Sequence, residues 1–417
     1  MITISPLTKK ILALSMLQGV GPATLRRIVS ESLESAPVFE LSQRVPAIAK
    51  AIAAPSAWEL AQELAETQCD SAEKAGAYII SALDEGYPAL LSATKDDPFI
   101  LFVKGTLSQT PEKSVAIIGT RQPTKHGEMI TRRMTDFFCG QRWSVVSGLA
   151  LGCDGIAHRA AIESGGHTVA VLAHGLQTIA PTQHRKLAED ILNSGGALIS
   201  EYRFGQGALP TQFVKRDRTQ AGLCQGVVMI QSDLKGGSLH ASRAALDYER
   251  WLAVPYPTIA DEQANEPKIQ ANLMIANSGA DMDRANLLKC HISRLSKVIV
   301  VRAKEDYPQL VCSPVAVLDT SELRTKLEGE ESRRQTSLLT QAEDLPESSP
   351  DALHAHIASA EDILRDQSDS QSKGSRKNSE PLNAEQRDET PEASRDLRKI
   401  DVSPDYKADL TVQHKLL

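Results

Sequence analysis

Four short stretches of this 417-residue chain carry residue types that can hold phosphate and base, and no motif places a serine or cysteine nucleophile with them. The first, VAIIGTRQPTKHG (115–127), stops an apolar run at Gly119 and continues with Thr120 and Arg121, then Lys125 and His126. A glycine lets backbone amides approach an oxyanion, a hydroxyl donates to it, and a guanidinium offers a planar fork to phosphate oxygens. The second, SGLALGCDGIAH (147–158), turns between Gly148 and Gly152 into a helical pattern, whose N-terminal amides attract anions. The third, PTQFVKRDRTQAG (210–222), sets the aromatic Phe213 beside Lys215, Arg216 and Arg218. The fourth, SDLKGGSLHASR (232–243), brings Lys235, Gly236, Gly237 and Ser238 to another helix start.

One glycine-rich turn says little, because such turns commonly serve only to join a strand to a helix. Four with matching composition point further. Amides and hydroxyls for oxygens, cations for charge and an aromatic for stacking suit several phosphates and bases, hence single-stranded nucleic acid rather than one pyrophosphate. A dinucleotide site would show G-x-G-x-x-G after the first strand, whereas the first loop has glycines only at its ends, Gly119 and Gly127. No G-x-x-x-x-G-K-[ST] and no H-E-x-x-H occurs. Asp154 and His158 fall four residues apart on a helical pattern and read as structural rather than as an acid/base pair. His174, His184 and His240 have no metal-ligand spacing, and Cys153 reads as a small packing residue. The expectation from these residues is no metal and no cofactor.

The elements that would position these loops follow from periodicity. VAIIG, WSVVSG, HTVAVLA, GALISE, GVVMIQ and WLAVP alternate with helical runs at 127–140, 155–164, 183–193 and 238–248. Continuous apolar strands separated by helices predict a Rossmann-like α/β fold, a doubly wound and mostly parallel sheet spanning 85–312, with ligands outside the carboxyl ends of its strands. Residues 1–84 read as a small all-helical, helix-hairpin-helix or SAM-like domain around Gly19-Val20-Gly21, whose glycine amides could meet a phosphate or simply pack. Residues 313–417 hold 22 acidic and 14 basic side chains and one aromatic, Tyr406, and are expected to be an acidic, largely disordered tail. The net charge of -7 therefore resides there, leaving 31 acidic against 32 basic residues in 1–312, so the balance does not oppose a nucleic-acid partner. The six cysteines lack a C-x-x-C pair and read as buried free thiols of a cytoplasmic protein; no leader pattern and no apolar run of membrane-spanning length is seen, so no membrane association is expected.

These loops, in this order, resemble the DNA-processing protein A family (DprA, also called Smf). The family's VAIVGSR-x-P-T-x-x-G stands here as VAIIGTRQPTKHG, and its VVSGLARGIDxxAHxxAL as VVSGLALGCDGIAHRAAI. YPALLSATKDDPFILFVKG resembles the lead-in, ALISEYRFGQGALPTQF the LLSEFPPGTPP segment, and ANLMIANSGADM a segment near the end, so that the likeness runs from about Leu7 to about Val301. The resemblance implies binding without chemistry: cooperative binding and protection of single-stranded DNA, loading of a RecA-type recombinase in natural transformation (competence) and recombination, and a homodimer. Carried over by position, its DNA contacts would be Gly119, Thr120, Arg121, Phe213, Lys215, Arg216, Arg218, Lys235, Gly237 and Ser238, with Gly148 added from the second turn. Three departures bear on the ligand. FPRRNRIIAG becomes FVKRDRTQAG, placing Asp217 where the family has asparagine; SGSLITA becomes GGSLHAS, with His240 and Ala241; and PxxNR becomes PTQHR, with His184. They leave open a rival, a nucleotide-binding sensor or nucleotide-hydrolysing enzyme on the same fold, although the P-G-G-x-G-T-x-x-E signature of such hydrolases has no glutamate to match it here. The family's frequent C-terminal winged helix is not visible in the polar tail.

Overall fold

The computed structural model describes residues 4–312; the segment 313–417, read above as an acidic tail, lies outside the described residues. The chain opens with five helices: α1 (Pro6–Met16), α2 (Pro22–Ser30), α3 (Val38–Arg44), α4 (Pro46–Ala51) and α5 (Ala57–Lys74). Proline sits in the first turn of α1, α2 and α4, where its missing N–H costs no helical bond, and the Ser5 side chain caps α1 by accepting from the Thr8 amide at 3.1 Å. Gly19, at φ 80°, makes the left-handed turn from α1 to α2. The helical pattern does not extend as far as expected. Ala77–Ser81 is a strand, β1, paired antiparallel with β2 (Ile100–Gly105) across the short α6 (Ala89–Ser92).

From there strands and helices alternate as predicted. In chain order they are β3 (Ser114–Ile118), α7 (Lys125–Gly140), β4 (Ser144–Ser147), α8 (Cys153–Glu163), β5 (Thr168–Leu172), α9 (Arg185–Asn193), β6 (Ala197–Ser200), α10 (Pro210–Gly222), β7 (Gly226–Met229), α11 (Ser238–Asp247) and β8 (Trp251–Pro255). Three short helices, α12 (Ile259–Gln263), α13 (Gln270–Asn277) and α14 (Asp281–Leu288), lead to β9 (Val298–Val301). The third stretch, read as a loop, is α10 itself. It escaped the periodicity test because the side it buries is polar: Gln212, Arg216, Thr219 and Gln220 face inward.

The nine strands form one sheet in the order β1-β2-β6-β5-β4-β3-β7-β8-β9, antiparallel at β1-β2 and β2-β6 and parallel from β6 to β9. Alternate residues of each strand serve opposite faces. Val115 and Ile117 pack with Met134 and Phe138 of α7 and Ala157 of α8, while Ala116 and Ile118 pack with Ala221 of α10 and Leu239 of α11. The N-terminal helices close the first face over β2, β5 and β6, sharing a core with Phe102, Ala170 and Leu198. Chain order reverses direction across the sheet between β3 and β7, so the crevice beyond their carboxyl ends is where a doubly wound fold binds ligands. Among the described residues no helix is long and apolar enough to cross a membrane, and the six cysteines are unpaired. Cys312 is exposed and Cys139 and Cys290 half-buried, so the expectation of buried thiols holds only for Cys69, Cys153 and Cys224.

At the switch point, β7 begins at Gly226, where a Cβ would fall inside the Trp251 indole on β8. Gly226→Ala is expected to cost about 1–3 kcal/mol of stability, because an indole within a sheet cannot retreat. Urea unfolding of the variant at an unchanged midpoint would contradict this packing.

Candidate functional site

The reversal between β3 and β7 opens a cleft of about 410 Å³. One wall is the β3 loop, Gly119, Thr120 and Arg121; the other is the β7 loop and the start of α11, with Ser232, Asp233, Gly236, Gly237, Ser238, His240 and Ala241; Phe213, Val214, Arg216, Asp217 and Gln220 of α10 complete it. Two residues that sequence reasoning did not single out set the distance between the walls. The backbone oxygen of Gln231 accepts from the Thr120 amide at 2.9 Å, its Oε1 accepts from the Thr124 amide at 3.0 Å, and its Nε2 donates to Thr124 Oγ1 at 2.9 Å. Asn272, fully buried on α13, accepts from the Ser232 amide at 3.0 Å and donates to the oxygens of Ile230 and Pro255 at 2.8 and 3.1 Å. Neither belongs to a pattern visible in the sequence, because each acts through a partner more than 15 residues away.

Seven of the expected site residues line this cleft: Gly119, Thr120, Arg121, Phe213, Arg216, Gly237 and Ser238. Arg121 is exposed and has no ion pair or hydrogen bond among the described residues, leaving its guanidinium uncommitted. Gly237 has open space where a Cβ would be, and Ser238 begins α11 beside it, so backbone and hydroxyl are both accessible there. Gly119 has a packing reason as well, since a Cβ would press on the Cys153 sulfur. Phe213 is half-buried, with the Arg216 guanidinium 5.8 Å from its ring centroid.

Arg216 and Gly148 do other work than expected. Arg216 is only 5% exposed; its Nη1 donates to the Gly148 and Val171 carbonyl oxygens, the latter at 2.9 Å, and its Nε to Asp217 at 3.1 Å. A guanidinium so placed is a strut under the cleft rather than a free phosphate clamp. Gly148 must be glycine because a Cβ would overlap that guanidinium, and its amide already donates to Asp154 at 3.1 Å. The N-terminus of α8 is likewise filled from within: Asp154 takes the Gly148 and Ala150 amides, and the Cys153 amide donates to the Thr120 carbonyl at 3.2 Å. The second turn therefore shapes the cleft floor, with the Gly148, Ala150 and Cys153 amides already engaged.

Lys215, Arg218 and Lys235 do not line the cleft; all three are exposed, and Arg218 lies 3.6 Å from Asp96. His184 does not face a ligand either: it is buried, with Nδ1 2.8 Å from the Leu149 carbonyl, and bears up the second turn. His240 lines the cleft and is held below its usual pKa by burial and by Arg243, Lys289 and Arg218, so it is neutral at pH 7. His158, fully buried against Thr168 Oγ1 at 2.8 Å and pushed down to about 3 by desolvation, makes no bond to Asp154, which supports the structural reading of both. Among the described residues no cluster of His, Cys, Asp or Glu has the makings of a metal site.

Two carboxylates, Asp154 and Asp217, share the buried Arg216, and Arg121 at the rim pulls on Asp217 more weakly. Burial raises the pKa of Asp154 against the pull of Arg216, and pushes Asp217 up to about 6 against the same partner, with Asp154 adding to the rise. A folded pKa above the unfolded value means that ionising the carboxyl costs folded-state stability as pH rises through that range. Asp217→Asn, which keeps an oxygen for Arg216, is expected to match the native chain near pH 4, gain on it between about pH 4 and 6, and stay more stable by about 1–3 kcal/mol above that. Thermal melts across pH check this, and a variant less stable than the native chain at pH 8 would contradict the charge imbalance.

Comparison with known proteins fits this geometry. The family model described as DNA recombination-mediator protein A matches residues 78–286. The chain is 38% identical to protein Smf of Escherichia coli over 186 residues, which covers 44% of this chain and 50% of that protein. It is 34% identical to the DNA processing protein DprA of Bacillus subtilis over 182 residues, covering 43% of this chain and 61% of that protein. The crystal structure of DNA processing protein A from Streptococcus pneumoniae shares the fold, with a TM-score of 0.52 at 23% identity over 73% of this chain and 93% of that one. The match thus spans half to about three-fifths of those two curated relatives.

Proposed function

The chain belongs to the DNA recombination-mediator protein A family, and from that premise we propose that it binds single-stranded DNA across the switch-point cleft, protects it and passes it to a RecA-type recombinase, without catalytic turnover. The observation that carries the reading is the composition of the two cleft walls. Arg121, exposed and without an ion pair or hydrogen bond among the described residues, stands beside Gly119 on one side, the open backbone of Gly237 and the Ser238 hydroxyl stand on the other, and Phe213 also lines the cleft. A strand's phosphates would run along the walls, with Lys215, Arg218 and Lys235 drawing the backbone in from the rim and a base stacking on Phe213. The reading extends to a cytoplasmic homodimer, as the family resemblance implies. Relatives whose names describe DNA processing agree with it.

The buried carboxylates make the floor a poor place for phosphate, so affinity depends on the rim and on stacking. Arg121→Ala is expected to weaken oligo-dT binding and to make the log-log salt dependence shallower by about 0.7, one phosphate's share on a single strand. Phe213→Ala should cost about 1–3 kcal/mol with the salt slope unchanged, because stacking releases no counterion. Fluorescence anisotropy at several salt concentrations separates the two effects. Equal affinity in both variants would remove the site assignment, and saturable binding of a free nucleotide in place of the oligonucleotide would favour the nucleotide-site rival.

A further inference from the structure

A second groove, of about 750 Å³, lies between α7 and the carboxyl ends of β8 and β9. Its lining joins cations to rings: Arg133 from α7, Arg302 and Lys304 beyond β9, and the half-buried Tyr256 and Phe137, with the buried Tyr307 packed edge-on behind Phe137. None of the three cations is ion-paired among the described residues, and the Arg302 guanidinium lies 4.3 Å over the Tyr256 ring. The carboxylates nearby are already engaged. Asp136, the acidic residue in the lining, accepts from Ser164 Oγ at 2.7 Å, Asp306 holds the amides of Arg302 and Ala303 at 2.7 and 3.0 Å, and Asp261 accepts from Thr124 Oγ1 at 3.2 Å. His126 also lines the groove; burial holds it below its usual pKa, against Asp261 at 3.8 Å.

Unpaired cations beside aromatic faces are what a single strand needs for its phosphates and bases. The groove also lies close to the cleft along the chain. Arg121 lines the cleft and His126 the groove, five residues apart, so their backbones are separated by at most about 18 Å. About five stacked nucleotides cover that distance at a spacing of about 3.4 Å. We propose that this groove takes up the phosphates and bases of a single strand as it runs on from the switch-point cleft. The cations Arg302 and Lys304 lie past residue 286, where the family-model match ends.

The inference rests on the single-strand reading of the cleft, and strand length separates the two. The full chain and its Arg133→Ala/Arg302→Ala/Lys304→Ala variant are titrated with labelled oligo-dT of about five and about twenty nucleotides at several salt concentrations. The groove predicts equal binding of the short strand, binding of the long strand weakened about tenfold or more, and a long-strand salt slope shallower by about 2, three phosphates at about 0.7 each. Equal long-strand affinity and slope in both proteins would overturn the groove while leaving the cleft standing; failure of the native chain to bind either strand would overturn both. Photocross-linking of the native chain to an iodouracil-substituted long strand adds a readout independent of the variant's folding. Adducts at Tyr256 or in the 302–307 peptide are expected, and their absence, or their loss to an excess of free ATP, would refute a strand in the groove.

Discussion

One buried guanidinium holds the cleft floor together. Arg216 reaches from α10 under the sheet's carboxyl edge to the carbonyls that end β4 and β5, flanked by Asp154 of α8 and its own neighbour Asp217. A charge so deep is tolerable only when paired and fully hydrogen-bonded. Much of the local sequence follows from that requirement. Gly148 makes room for the guanidinium, Asp154 balances it while tying down the turn, and α10 must turn a polar side inward.

The cleft therefore divides into a floor committed to structure and a rim left free for a ligand. Residues of similar chemistry fall on either side of that division for reasons of burial alone. Arg216 and Arg121 are both arginines of the expected set, yet one is consumed by backbone carbonyls and the other is exposed, with no hydrogen bond or ion pair among the described residues and only a weak pull on Asp217. The same division separates the glycines, Gly148 and Gly119 being demanded by packing while Gly237 faces open space.

The sequence made legible what depends on apolar periodicity and on local turns. The six strands from β3 to β8 and the helices α7, α8, α9 and α11 stand close to their expected places, because each is an apolar run or an amphipathic pattern closed by a glycine turn. α10 was hidden by the polar side it buries, and β1 by an Ala- and Ile-rich run that reads equally well as helix. The residues that set the spacing of the cleft, Gln231 and Asn272, could not be read at all, since their partners come from loops distant in the chain. Residue type alone also does not tell a strut from a clamp: the burial of Arg216 and the guanidinium packed on Gly148 are visible only in the fold.

Amide hydrogen exchange on the full chain, with and without saturating oligo-dT, tests most directly the claim that a strand lies across the rim and not on the floor. Slowed exchange at residues 119–122 and 235–238, with 148–154 unchanged, is the predicted result. Protection confined to 148–154, or none along either wall while the oligonucleotide is bound, would contradict it.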